Sequence, residues 1–261
     1  MHPEIIALGP LTVHSFGLMI ALAVLAAGWF VRRDLAERGL PARLAVELVV
    51  CAAVGGVLGA RVYYLVEHAG EQQATLTANA GLVWYGGVIG GVLAVAGVAR
   101  LRRLPLGQVA NVCAPALALA YAIGRIGCQL AGDGTYGQPS DLPWAMSYPH
   151  GEVPTTIAVH PTPIYETTVM LLVFVVLWRL RHRLGAPWSL AAVYLVLAGV
   201  ERLLVEFIRI NPVEALGLTA PQLFSLTQIA VGLALLASLV LRLRVPADVE
   251  GPSARRHRCR P

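Results

Sequence analysis

Apolar runs long enough to cross a bilayer recur seven times along this 261-residue chain, and no other feature leaves so few folds open. They fall at 13–31, 44–66, 81–99, 108–124, 164–178, 188–208 and 222–241. A span of hydrocarbon core takes about 20 apolar residues. Within that core each backbone N–H and C=O must be satisfied inside its own helix or in a closed barrel. Runs of this length predict an all-α integral membrane protein of seven transmembrane helices. Only 13% of the residues are charged and 57% are hydrophobic, whereas soluble domains carry about 25% charged residues. This excludes a disordered chain, a disulfide scaffold and a soluble nucleotide-binding enzyme. No Arg or Lys precedes the first run and the positive charges follow it, so it reads as a retained span rather than a cleaved signal peptide.

The basic residues orient the bundle. All 20 are arginine. Sixteen of them lie in four places: Arg32, Arg33, Arg38 and Arg43; Arg100, Arg102 and Arg103; Arg179, Arg181 and Arg183; and six after residue 241. The alternate connections hold only Arg209, and the long segment 126–163 holds none. The positive-inside rule then places the arginine-rich side in the cytoplasm, with the N-terminus outside, the C-terminus inside and segment 126–163 as an extracytoplasmic loop between spans four and five. Residues 1–245 form the membrane domain, and 246–261 read as a basic, disordered cytoplasmic tail. The basic balance is thus a topology signal, and no nucleic-acid partner is expected. Cys51 and Cys113 sit in spans, Cys259 in the tail and Cys128 alone near the outer face, so neither a disulfide nor a metal site is indicated.

Arg61, Arg125 and Arg202 remain, inside apolar runs or at their outer ends. A charge in a span costs at least about 2.5–3.5 kcal/mol on insertion scales, so it faces a cavity or a partner unless it snorkels to the interface. Three on the outer half point to an anion site. Around them stand four constellations. GRIGCQLAGDGTYGQPSDLPWA (124–145) leaves span four with Gly137, Asp133 and several other glycines, which permit sharp turns and close backbone approach. VERLLVEFIRINP (200–212) puts Arg202, Glu206 and Arg209 within about 60° on one helix face. That stripe is either a structural ion-pair set or two guanidinium forks held open for phosphate oxygens. HPTPIYE (160–166) offers His160, either a proton carrier or a loop cap, and Glu166, placed by this spacing in the first turn after Pro163. WYGGVIGG (84–91) carries the small residues that let membrane helices pack closely.

Together these segments resemble the bacterial prolipoprotein diacylglyceryl transferases. GPLTVHSFGLM (9–19), GARVYY (59–64), WYGGVIGG, GRIG (124–127), HPTPIYE, RLLVEFIR (202–209) and LTAPQLFSL (218–226) follow one another in the family's order along nearly the whole chain. The resemblance implies an enzyme of the bacterial inner membrane whose partners are phosphatidylglycerol, membrane lipid and a prolipoprotein signal peptide bearing a lipobox cysteine. It would transfer the diacylglyceryl group to that thiol, forming a thioether and releasing glycerol 1-phosphate, with no cofactor and no metal. Arg125, Arg202, Glu206 and Tyr85 are the expected catalytic set; Arg125, the first choice for the lipid phosphate, is also expected to bind substrate, with Arg61, Arg209, Gly137, His160, Glu166 and Asp133. The alternative is a phospholipid-binding membrane homologue that lacks the reaction or uses another acceptor. Three residues depart from the family pattern: Tyr85 stands where histidine is usual, Phe16 where tyrosine is usual and Cys128 where asparagine is usual. The segment QLAGDGTYG is also one residue longer than usual. Tyr85 is then expected to act as a hydrogen-bond donor, Cys128 to pack rather than react, and the arginine field to activate the thiol.

Overall fold

The computed structural model describes residues 3–8, 11–68 and 84–244. Among the described residues seven helices form the body: α1 (Ser15–Glu37), α2 (Leu44–Glu67), α3 (Trp84–Leu101), α4 (Leu106–Ala131), α5 (Thr162–Leu180), α6 (Ser189–Glu206) and α7 (Ala220–Arg244). Six are long and apolar enough to cross a membrane. The exception is α6, whose 18 residues include Glu201, Arg202 and Glu206. The all-α expectation needs one amendment. Two short antiparallel hairpins accompany the helices, β1 (Glu4–Leu8) with β2 (Leu11–His14), and β3 (Met146–Tyr148) with β4 (Thr155–Val159). Of the expected segments, the tail 246–261, residues 81–83 of the third run, and Gly9 and Pro10 lie outside the described residues.

The exterior is apolar, as a lipid solvent requires, and the interior holds polar side chains beside apolar ones. Leu25, Val46, Leu93 and Leu172 are exposed, whereas Ser15, Asp34, Asn111, Thr162, Glu166 and Ser225 are buried. Helix α4 is central, packing on α1, α5 and α6. Its apolar contacts fall in two clusters, one around Val31, Leu48 and Val109, the other around Ala118, Met170 and Leu190. Helices α2 and α3 approach most closely where Gly55 and Gly59 face Gly86 and Gly90. A Cβ at Gly59 would strike the Gly86 carbonyl oxygen, so the small residues of WYGGVIGG serve close packing.

Most helix ends fall within three residues of their expected places; two move by six or seven, each for a visible reason. The first helix runs past residue 31 to Glu37 because its last turn is held by ion pairs. Asp34 accepts from Arg38 Nε at 3.0 Å and Glu37 from Arg181 Nη2 at 2.8 Å. The fourth continues through GRIG to Ala131 and stops at Gly132, whose φ of +62° suits glycine and whose N–H reaches the Cys128 carbonyl at 2.9 Å. Arg125 therefore stays on a helix, and the connection between α4 and α5 is 132–161 rather than 126–163.

The connections sort to two ends. Arg38 donates to Gln108 Oε1 and to the Arg181 carbonyl, and Gln108 donates to the Gly185 carbonyl. The α1–α2, α3–α4 and α5–α6 connections therefore share one end, which also holds Arg100, Arg102 and Arg179. At the other, Gln138 N–H donates to the Ile208 carbonyl at 2.8 Å, joining the α4–α5 and α6–α7 connections.

Candidate active site

At the end opposite the arginine-rich connections, three guanidiniums converge on one carboxylate. Glu166 is fully buried. Its Oε2 lies 2.6 Å from Arg125 Nε, and its Oε1 lies 3.3 Å from Arg209 Nη1 and 3.8 Å from Arg202 Nη1. The Tyr121 hydroxyl donates to Glu166 Oε2 and accepts from Arg125 Nη2 at 2.8 Å. A second carboxylate orients Arg202 from behind: Glu206 Oε2 accepts from Arg202 Nη2 at 2.9 Å, while its Oε1 accepts from Asn211 Nδ2 and Thr219 Oγ1. Three cations and these two anions leave one positive charge in surroundings that screen it little. Two donors, Arg202 Nη1 and Arg209 Nε, are buried and have no hydrogen-bond partner. Buried donors are nearly always satisfied, and these belong to guanidiniums, whose forks match phosphate oxygens.

Local structure explains the convergence. Arg125 lies one turn after Tyr121 on α4, with its guanidinium over the Tyr121 ring. Helix α5 begins at Thr162, whose hydroxyl donates to the Thr135 carbonyl. Glu166 is the fifth residue of α5, two residues deeper than expected because the helix starts at Thr162 rather than 164, and so just past the first turn. A short ladder then closes the gap to α6. Gly137 N–H donates to the His160 carbonyl, His160 N–H to the Gln138 carbonyl and Gln138 N–H to the Ile208 carbonyl. Gly137 also bridges Arg209. A Cβ at Gly137 would sit 2.6 Å from the Ile208 carbonyl oxygen, so only glycine lets the two connections touch.

Arg202, Glu206 and Arg209 do come together, but not as a single helical stripe. Helix α6 ends at Glu206, and Arg209 reaches Glu166 from the extended segment beyond it. Arg61 is buried on α2 with its guanidinium 5.2 Å from the Tyr64 ring centroid, and Glu166 gathers Arg125, Arg202 and Arg209 instead. Tyr85, at the start of α3, packs among Tyr63, Trp84 and Phe224. The His160 ring nitrogen lies 3.4 Å from the Tyr165 hydroxyl, which accepts from Trp144 Nε1. Asp133 Oδ1 accepts from the Thr135 hydroxyl and N–H, a local turn in the loop. Cys128 is buried, 3.9 Å from Arg125 Nη1, and Phe16 lies against Gly127. In the loop itself the buried Tyr148 phenol, its pKa raised by that burial, donates to Gln129 Oε1 at 2.9 Å.

Sequence reasoning passed over two residues. Tyr121 precedes Arg125 by four, the spacing at which helical side chains meet. Glu201 is a carboxylate in an apolar run, which is itself a sign of function. Among the described residues no three His, Cys, Asp or Glu side chains gather as metal ligands would.

Comparison with known proteins converges on one family. The sequence profile described as prolipoprotein diacylglyceryl transferase matches residues 3–238. A protein of Nostoc sp. named phosphatidylglycerol–prolipoprotein diacylglyceryl transferase is 35% identical, over 97% of this chain and 94% of its own length. Proteins of the same name from Methylococcus capsulatus and Clostridium tetani are 34% and 31% identical, covering 92% and 89% of this chain and 96% of each relative. A match of this extent, over a helix bundle with this arrangement of charges, makes the chain a member of the prolipoprotein diacylglyceryl transferase family.

Proposed function

We propose that this protein transfers the diacylglyceryl group of phosphatidylglycerol to the lipobox cysteine thiol of prolipoproteins. The observation that carries the reading is the Glu166 hub, with three guanidiniums on one buried carboxylate and two donors left over. The lipid phosphate docks on Arg125, Arg202 and Arg209, and Glu206 positions Arg202. The cysteine sulfur attacks the carbon of the diacylglyceryl group that bears the phosphate ester. A carbon–sulfur bond forms, the carbon–oxygen bond breaks, and its electron pair leaves on the phosphate oxygen as glycerol 1-phosphate. Negative charge grows on the phosphate as that bond stretches, and preorganised donors in a dry site stabilise it more than they stabilise the bound substrate. The thiol gives up its proton before or during attack, to water or to the departing phosphate, and the arginine field favours the thiolate. Arg61 on α2 and the Tyr85 hydroxyl complete the polar lining toward α3, while Gly137, Asp133 and His160 shape the loop over the site.

Purified protein, phosphatidylglycerol and a lipobox-containing precursor peptide provide the test. The peptide is expected to gain one diacylglyceryl mass while glycerol phosphate appears in equal amount. Lipid binding without any mass gain would replace this reading with a phospholipid-binding relative.

In the same reading the protein is a seven-span protein of the bacterial inner membrane. Helix α6 is the seventh span, its charges turned to the bundle interior, and the arginine-rich end faces the cytoplasm. A cysteine introduced at Ser140, in the α4–α5 connection, is expected to react with a membrane-impermeant maleimide added outside intact spheroplasts. Labelling only after the membrane is opened would reverse the orientation.

A further inference from the structure

Glu201 has no part in the mechanism above, yet it is a carboxyl inside the bundle. It is 5% exposed, and its Oε1 is buried without a hydrogen-bond partner. An isolated buried carboxylate is costly, so such a group is ionised only where cations support it. The cations are close: Glu201 precedes Arg202 in α6 and lies within charge–charge range of Arg125, Arg202 and Arg209. None of these bonds it, because Arg125 and Arg209 are directed to Glu166 and Arg202 to Glu206. The other titratable groups around it are Tyr121 of α4, Glu166 of α5, and Tyr194 and Glu206 of α6. Helix α7 packs against α6 and has charged residues only at its far end, Arg242 and Arg244.

We propose that Glu201 is the proton-storing carboxyl of the phosphate site, a positioning residue that takes up a proton when an anionic phosphodiester binds Arg125, Arg202 and Arg209. The inference rests on the phosphate-binding reading above. With the site empty, the three guanidiniums offset part of the cost that burial and the neighbouring Glu166 place on a carboxylate at Glu201. A bound phosphodiester occupies the same field, and the carboxylate then loses its support. Phosphate and ionised Glu201 thus compete for one set of cations without touching. By linkage, phosphate affinity falls as pH rises through the titration of Glu201 in the unliganded site, by at most tenfold per pH unit for one proton. A neutral Glu201 also keeps the net positive charge on the arginines when the phosphate needs it most.

The test uses dihexanoyl phosphatidylglycerol, whose phosphodiester stays ionised throughout, and the full-length protein in detergent. Binding is followed by calorimetry across roughly pH 5 to 9 in two buffers of different ionisation enthalpy, the range in which a buried carboxyl titrates. The unaltered protein is expected to take up part of a proton per lipid bound, with a dissociation constant that climbs with pH. Glu201→Gln, nearly isosteric and permanently neutral, is expected to abolish the uptake and flatten the profile. Equal proton uptake in Glu201→Gln would overturn the proposal, as would binding to the unaltered protein with no uptake at any pH, which needs no variant to fold. The peptide transfer assay separates this from the function: proton-linked binding without transfer would sink the transferase reading alone, and transfer without proton linkage would sink this inference alone.

Discussion

Glu166→Gln is expected to lower the unfolding temperature of the protein sharply and to abolish diacylglyceryl transfer together. Glutamine keeps the shape and one acceptor oxygen but removes the charge that Arg125, Arg202 and Arg209 share. Of the three, only Arg202 keeps a carboxylate partner, Glu206. Breaking a buried ion pair by deleting one partner costs about 3–5 kcal/mol, or roughly 6–20 °C in a chain of this size. The penalty is repulsion among uncompensated cations, so sulfate or phosphate added to the variant is expected to restore part of the lost temperature, and more than it adds to the unaltered protein. Differential scanning fluorimetry in detergent, with and without sulfate, reads both effects. A Gln variant that melts with the unaltered protein and transfers at its rate would show that Glu166 is not the hub.

The hub also marks where the sequence stops being readable. Arg125 and Arg202 were legible because a charge in an apolar run needs a reason, and Arg209 and Glu206 followed from their spacing. Which carboxylate would hold them was not. Helical periodicity pairs residues within one segment, so it drew Glu206 between Arg202 and Arg209. The closest partner of Arg125 instead comes from α5, forty-one residues on, through a ladder of backbone bonds among 137–138, 160 and 208 that no side-chain pattern encodes. Arg209 lies beyond the end of α6 for the same reason: its backbone is committed to Gly137. The helix spans were plain because hydropathy acts over 20 residues. Their ends were less so, since Arg181, from the far end of α5, pairs with Asp34 and Glu37 in the last turns of α1. The hairpins were not read from the sequence: their β-branched stretches, such as TTIAV in β4, are too brief to stand against the span signal.

The departures from the family pattern take on a different weight in this setting. Tyr85 lies in an aromatic cluster with Tyr63, Trp84 and Phe224, outside the ion pairs of the hub. Cys128 is buried beside Arg125, and Phe16 packs on Gly127. None of the three removes a charge from the ion pairs around Glu166.

Arg125 carries the second large effect, and two substitutions separate its charge from its shape. Arg125→Ala leaves Glu166 with Arg202 and Arg209 as counter-ions, so the carboxylate is not stranded and the protein is expected to fold. Transfer is expected to fall about 10²–10³-fold, the usual cost of removing one preorganised donor from developing negative charge. Arg125→Lys keeps the charge but not the fork. In the unaltered protein the Nε of Arg125 engages Glu166, Nη2 the Tyr121 hydroxyl, and Nη1 approaches only the Cys128 sulfur at 3.9 Å, so Nη1 is the arm open to a phosphate oxygen. An ammonium on a flexible stem cannot hold Glu166 and Tyr121 and still present a fixed donor. The lysine variant is therefore expected to melt near the unaltered protein yet transfer at least about tenfold more slowly, each factor of ten being about 1.4 kcal/mol of transition-state stabilisation. Steady-state transfer at saturating precursor, with phosphatidylglycerol varied, assigns the loss. A fall in kcat would mean that the fork acts on the breaking bond. A rise in KM alone would confine Arg125 to holding the lipid, and full activity in the lysine variant would mean that charge alone suffices there.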